Sequence, residues 1–386
     1  MNEKNIAVLG TSYGDEGKAR IVHWMAKNYN WVLRFGGSSN AGHTIYHNGT
    51  KIVRHLLPSA DFAAGNKAFL GSGMVINPDE LLAEVEQTEI QFPGSASRIY
   101  VDPDAFVVMP EHIAEDKEKN KGIGSTGKGV TPAYRDKIDR KGTRIHQYIG
   151  HQFGSTYGDS IHRLAKLGVQ FTYSMELKEQ FDKESIIFEG SQAILLDIAF
   201  GTYPYVTSGE TGLAGIINSG FARYMPSKVY GVTKAYSTRV GNGPFVTEME
   251  AGEIENHTIR ERGNEYGSTT GRSRRIGWID LPSIKYAAHK AAITDLVVTK
   301  LDVLNGFKKI QVCDEYVSKW GNDHWYEEPK CSSNLDSPIL YKTIDGWENS
   351  KDMGQTKQFR NMIENGTGVK ISHLSCGVNE DDIITL

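Results

Sequence analysis

The sequence predicts an α/β fold: a mostly parallel central sheet with helices on both faces, entered through a phosphate-loop-like strand–loop–helix. Three observations predict it. Apolar runs of strand length alternate along the chain with helical patterns, the mark of parallel sheets joined by crossover helices. The first such run, Ile6 to Leu9, leads straight into a glycine-rich turn and then a lysine. The 41 glycines of the 386 residues cluster in discrete loops, at 36–42, 122–129, 209–215, 241–243 and 263–271. Clustered glycine loops on such a scaffold suit a composite binding site at the strand ends.

The elements follow in order. Residues 6–9 are a short apolar run bounded by turn residues, so they predict a buried strand. Ile21, Val22, Met25 and Ala26 then fall on one face of a helix. Further strands are predicted at Trp31 to Phe35, Lys51 to Val53, Ile99 to Val101, Ile186 to Glu189, Lys228 to Val232 and Leu296 to Lys300. Helical patterns lie at Glu80 to Gln87, Gly158 to Lys166 and Leu281 to Ala292. There is no internal repeat and no linker-like stretch, so residues 1–386 read as a single domain with loop and small subdomain excursions.

Bulk properties exclude several classes. With 43 basic and 47 acidic residues the net charge is −4, which gives no basic footprint for a nucleic acid. No run approaches the roughly 18 apolar residues of a membrane span. Cys313, Cys331 and Cys376 have neither metal-ligand nor disulfide-framework spacing, which points to a reducing, cytoplasmic setting. The glycosylation-like triplets at Asn48, Asn256 and Asn365 read as surface turns.

Gly10, Gly14 and Gly17 with Lys18 at a helix start form an anion cradle, since glycines admit close backbone approach and the helix dipole favours negative charge. The usual phosphate loop carries a Ser or Thr after its lysine to hold Mg²⁺; here Ala19 follows, and six residues separate Gly10 from Gly17. Asp15, inside the loop, is the obvious replacement ligand. A carboxylate among phosphates needs a cation beside it or chemistry to perform, so the loop reads as catalytic. His43, flanked by Gly42 and small polar residues, reads as a proton donor working near neutral pH. Ser125 and Thr126 lie in a glycine loop suited to a second phosphate. Arg272, Arg274 and Arg275, with Thr269 and Thr270, suit bidentate capture of a small dianion. Lys300 and Asp302 follow an apolar strand; such a Lys-x-Asp can stack on a purine and accept from guanine.

Together these segments resemble the adenylosuccinate synthetase family. The matching stretches are Gly10–Lys18, Asn40-Ala-Gly-His-Thr44, His55-Leu-Leu-Pro-Ser59, Gly124–Lys137, Phe188-Glu-Gly-Ser-Gln192, Gly201–Ser208, Lys234–Val240, Gly263–Trp278 and Thr299–Leu304. They keep the family's order over nearly the whole chain. The resemblance implies a ligase that joins L-aspartate to C6 of inosine monophosphate (IMP), through a 6-phosphoryl intermediate, driven by GTP with Mg²⁺. It assigns Asp15 as base at the purine N1 and Mg²⁺ contact, His43 as acid, and Lys18 and Gln192 as further catalytic groups. Gly42 would lend its carbonyl to Mg²⁺. The purine monophosphate would be held by Asn40, Thr126, Arg140, Gln192, Thr207, Val240 and Arg272, with Arg140 reaching into the neighbouring subunit of a homodimer. Aspartate would lie on Thr269, Thr270, Arg272 and Arg274. The nucleoside triphosphate would lie on Gly14, Gly17, Lys18, Gly42, Thr44, Lys300, Asp302 and Gly377.

The chain departs from the family pattern at Ala19-Arg20, Ala199, Glu210 and Ser273, and it is shorter between Arg144 and Ile186. A viral branch of the family uses dGMP in place of IMP, and its members can accept ATP. Burying the guanine 2-amino group without an acceptor would cost about 1–3 kcal/mol, so one acceptor near C2 could reverse the preference. A non-catalytic nucleotide-binding homologue would lack the acid or base, yet Asp15, His43, Lys18 and Gln192 are all present. A regulatory GTPase leaves the arginine loop unexplained.

Overall fold

The computed structural model describes residues 2–47, 49–119, 125–150, 155–267, 271–316 and 339–386. The sequence-predicted residues Asn48, Thr269, Thr270 and Cys331, and the start of the 122–129 loop, lie outside them. The described chain forms two compact units. The first comprises residues 1–8, 18–191 and 207–227; the second comprises 9–17, 192–206 and 228–386.

In the first unit the strands run in the order Asn2–Gly10, Ile186–Glu189, Trp31–Arg34, Lys67–Leu70, Ile99–Val101 and Gln170–Phe171. Every ladder among them is parallel. Parallel strands covered on both faces read as unbroken apolar runs, and Trp31, Val32, Leu33, Ile186, Ile187 and Phe188 are all fully buried. Beneath them Phe69, Phe181, Phe188 and Phe221 meet edge to face. The helix Pro78–Gln91 starts where Asn77 accepts the Asp79 and Glu80 N–H groups and Pro78 supplies a preset φ.

In the second unit Pro226–Lys234, Asp295–Thr299, Lys370–Ser375 and Ile383–Thr385 pair in that order; only the last ladder is antiparallel. The helix Leu281–Lys290 is capped by Asp280, which accepts the Ser283 N–H at 3.0 Å. The α/β class with mostly parallel ladders is therefore as the alternation predicts.

Three readings need correction. Lys51 to Val53 belongs to Thr50–Arg54, which pairs antiparallel with His43–His47 in a two-stranded hairpin outside the large sheet. Lys300 lies past the end of its strand, at φ 62°. Asn256 is buried within the helix Ile254–Gly263, and Asn365 lies in the helix Lys357–Thr367, so neither is a surface turn. Among the described residues no helix is long and apolar enough to cross a membrane.

Candidate active site

The N-terminal loop has the backbone its glycines predict. Gly14 and Gly17 both sit at φ 89°, and Asp15 sits at φ 60°, a left-handed conformation that Asp tolerates better than most residues. Its neighbour Glu16, which no sequence motif singles out, shapes the loop from inside. The buried Glu16 carboxylate accepts the N–H groups of Ser12 at 3.1 Å and Gly14 at 2.9 Å. A Cβ on Gly10 would stand 2.5 Å from that carboxylate, so only glycine fits there. Thr299 Oγ1 donates to the Glu16 carbonyl at 2.7 Å. Two of the loop N–H groups expected to face a phosphate are thus committed to Glu16, leaving the cradle to the groups nearer the helix start. Lys18 is buried as the first residue of the helix Lys18–Ala26.

In the first unit His43 opens the hairpin and is 6 % exposed. Its Nδ1 lies 2.7 Å from Glu189 Oε1. Glu189 ends its strand with no exposed surface, and also takes the Ser59 Oγ–H at 2.7 Å and the Ser59 N–H at 2.6 Å. Burial opposes its charge, but the imidazole, the Arg34 guanidinium and the Ser59 N–H outweigh burial and hold the carboxyl at about 2. Burial also lowers the His43 pKa, against the pull of Glu189.

Arg34 ends the neighbouring strand, fully buried. It donates to Ser191 Oγ at 2.6 Å and to the carbonyls of His55 and Leu56. The 55–59 segment is fixed from its other side by Glu84, which accepts the N–H groups of His55, Leu56 and Leu57. His55 Nδ1 lies 2.8 Å from the Ala41 carbonyl, tying that segment to the loop that carries Asn40 and Gly42. Glu189, Arg34 and Ser59 were missed as site residues. The signal was present: Glu189 and Ser59 lie within matched stretches, and both Arg34 and Glu189 are charges that close apolar strands.

The second unit holds a four-charge cluster. Arg274 Nε lies 2.8 Å from Asp15 Oδ2, and its Nη1 donates to Glu265 Oε2 at 2.6 Å. Lys234 Nζ donates to both Glu265 oxygens at 2.9 Å, and Tyr236 donates to Oε1 at 2.6 Å. Glu265 has no exposed surface. Burial opposes its ionisation, but Lys234 and Arg274 prevail and hold it at about 2. Burial brings Lys234 down to about 8. Two acids and two bases balance here. The Asp15 side chain remains 32 % accessible, a hard oxygen donor of the kind that suits Mg²⁺ beside phosphate and water.

The remaining predicted residues divide between the units. In the first, Asn40, Gly42, Thr44 and Thr207 are half-buried, while Thr126 and Arg140 are exposed, Arg140 at φ 62°. In the second, Gln192 is half-buried at φ 52°, Val240 and Arg272 are exposed, and Asp302 and Gly377 are half-buried. Lys300 donates to the Gly263 carbonyl at 2.8 Å.

Comparison with known proteins adds the family. The family model described as adenylosuccinate synthetase matches residues 7–181 and 151–384. The chain is 38% identical to the adenylosuccinate synthetase of Petrotoga mobilis, covering 98% of this chain and 97% of that one. It is 36% identical to that of Thermotoga maritima, covering 98% and 99%. Among solved structures, the fully ligated adenylosuccinate synthetase of Plasmodium falciparum superposes with a TM-score of 0.87 at 30% identity, covering 99% of this chain and 100% of that one. The succinoaminodeoxyadenylate synthetase of cyanophage S-2L, bound to dGMP and dATP, superposes with a TM-score of 0.70 at 21% identity, covering 99% and 95%. At that identity the likeness concerns the fold alone.

Proposed function

The chain belongs to the adenylosuccinate synthetase family, a family of C–N bond-forming ligases, and from that premise we propose that it joins L-aspartate to C6 of IMP with GTP as phosphoryl donor. The observation that carries this reading is the retention of both proton-handling groups in organised settings. His43 is tied to a buried, ionised Glu189, and Asp15 stands beside Arg274 on the phosphate loop.

The purine 6-oxo group is a poor leaving group, so O6 is first phosphorylated. Asp15 takes the N1 proton, which makes O6 nucleophilic. His43, whose Nδ1–H is given to the ionised Glu189, donates from Nε2 to the γ-phosphate or the 6-oxygen in its doubly protonated form, which Glu189 and the anionic phosphates favour against burial. Lys18 and the amides at the helix start hold the transferring phosphoryl group, where positioning and electrostatics do most of the work. Mg²⁺, held by Asp15 and the Gly42 carbonyl, would neutralise charge on the phosphates. Gln192, Asn40, Thr126, Thr207, Val240 and Arg272 hold the purine monophosphate. Aspartate, bound by Thr269, Thr270, Arg272 and Arg274, then attacks C6 and expels phosphate. Gly14, Gly17, Thr44, Lys300, Asp302 and Gly377 hold the triphosphate, with Asp302 reading guanine.

The same reading makes residues 1–386 one functional unit, working as a cytoplasmic homodimer to which each partner lends Arg140, with no nucleic-acid role. Use of dGMP, with ATP or GTP, has for support only a fold likeness at 21% identity. A spectrophotometric assay with aspartate, crossing IMP, GMP and dGMP against GTP and ATP, separates the two. Turnover of IMP with GTP is expected; turnover of dGMP alone would overturn the IMP assignment.

A further inference from the structure

A second constellation lies in the first unit, built from residues to which neither the family resemblance nor the catalytic reading gives a role. His23, in the last turn of the helix Lys18–Ala26, His47, at the end of the strand His43–His47, and Asp61 each present a ligand atom, and all three atoms lie within 4.8 Å of one another. His23 and Asp61 are buried; His47 is half-buried. We propose that these three side chains form a binding site for a divalent transition-metal ion of the zinc type, bridging the helix, the hairpin and the Asp61 turn.

The donor set argues for that class. Two imidazoles and one carboxylate, with a fourth position open to water, is a zinc-type arrangement. Magnesium and calcium prefer oxygen ligands throughout, so nitrogen donors select against them. The surroundings hold the ligands in place. Asp61 Oδ1 accepts the N–H groups of Ala63 at 3.0 Å and Ala64 at 3.3 Å, and the Asp61 N–H donates to Asn66 Oδ1 at 2.8 Å. That fixes the carboxylate as a bonded outer shell fixes a metal ligand. The His47 ring packs edge-on against Phe92 at 5.2 Å and against His23 at 6.3 Å. Helix and hairpin already share an apolar contact, through Ala19, Ile45 and Ile52. An ion would add a polar clamp to it. The helix begins at Lys18 and the hairpin at His43, so the clamp would brace two elements that carry proposed catalytic residues.

The test uses the full-length protein, stripped with a chelator and titrated with Zn²⁺ by calorimetry and with Co²⁺ by visible absorption. Excess Mg²⁺ is present to compete at sites made of oxygen alone. A single equivalent is expected to bind and to raise the thermal midpoint, because it binds the folded state. His47→Gln and Asp61→Asn should each weaken binding roughly tenfold or more and abolish the thermal gain. Because His47 is half-buried at a strand end, His47→Gln should keep its fold, checked by circular dichroism; if Asp61→Asn fails to fold, His47→Gln decides alone. Absence of binding by the wild type, or unchanged affinity in His47→Gln, would overturn the proposal.

Discussion

Each unit is organised around one glutamate with no exposed surface, and the two glutamates have opposite kinds of partner. Glu189 holds an imidazole, a group that gains and loses a proton near neutral pH, and has Arg34 as its permanent counter-charge. Glu265 holds Lys234 and Arg274, two cations, and through Arg274 reaches Asp15. Both carboxyls are held at about 2. The contrast teaches that a buried carboxylate can serve proton transfer or charge placement according to what it pairs with. At His43 burial and Arg34 favour the neutral imidazole while Glu189 favours the charged one, so the net direction from the protein's own groups is toward neutral. With two cations on Glu265, Arg274 presents a fixed positive edge to Asp15.

The largest expected effects fall on the reacting groups themselves. His43→Asn and Asp15→Ala should each lower kcat by about a thousandfold, within the range for loss of a general acid or base. Near-wild-type turnover in either variant would remove that residue from its role. Next comes the unequal load on the two glutamates. Glu265→Ala strands the buried Lys234 and leaves the partly buried Arg274 to Asp15 alone, and should destabilise the fold by about 3–5 kcal/mol in urea unfolding. Glu189→Ala strands one permanent cation, Arg34, and should cost less. An equal or reversed order would break the comparison.

Acid unfolding sharpens it. Both carboxyls titrate at about 2 in the folded chain against an ordinary 4.5. Between those values the unfolded chain binds more protons, so stability rises with pH across that window. The contribution is complete above about 4.5 and is lost as pH falls toward 2. Glu189→Gln and Glu265→Gln should each flatten the acid limb of a stability–pH curve. A limb unchanged in both variants would contradict the ionised-pair description. The smallest effect is expected from Ser59→Ala, which removes the 2.7 Å hydroxyl donor to Glu189 and leaves the 2.6 Å N–H. About 1 kcal/mol of stability should be lost, with a few-fold change in kcat.

Much of this was legible in the sequence, and the exceptions have physical reasons. The first strand, its loop and the helix after Lys18 carry turn chemistry and apolar periodicity that mean the same thing in any fold. The strands Trp31–Arg34 and Ile186–Glu189 are buried throughout, so unbroken apolar runs marked them. Thr50–Arg54 has the same look over three residues, but it is largely exposed at its start and pairs only with its own hairpin partner; local pattern cannot tell a hairpin strand from a sheet strand. Lys67–Leu70 offers only three consecutive apolar residues, Ala68, Phe69 and Leu70, too few to mark a strand by themselves. Among the candidate site residues, Asp15 and His43 stand out in the sequence because their chemistry is odd for their loops, and Lys18 because a phosphate loop calls for a lysine there. Glu189 and Glu265 do not stand out in the same way, because a buried carboxylate of this kind is defined by partners distant in sequence: Glu189 lies 130 residues from Ser59, and Glu265 lies 31 from Lys234. The Glu16 partners Ser12 and Gly14 are local, but only the fold turns its carboxylate back onto their N–H groups.

The most direct test is a split of kcat from the aspartate KM in two conservative variants measured side by side. Glu189→Gln should lower kcat with little change in the aspartate KM, because it loosens the proton-handling imidazole. Glu265→Gln should chiefly raise the aspartate KM, because it loosens Arg274. The same pattern in both variants, or the two patterns exchanged, would contradict the division of labour between the two buried glutamates.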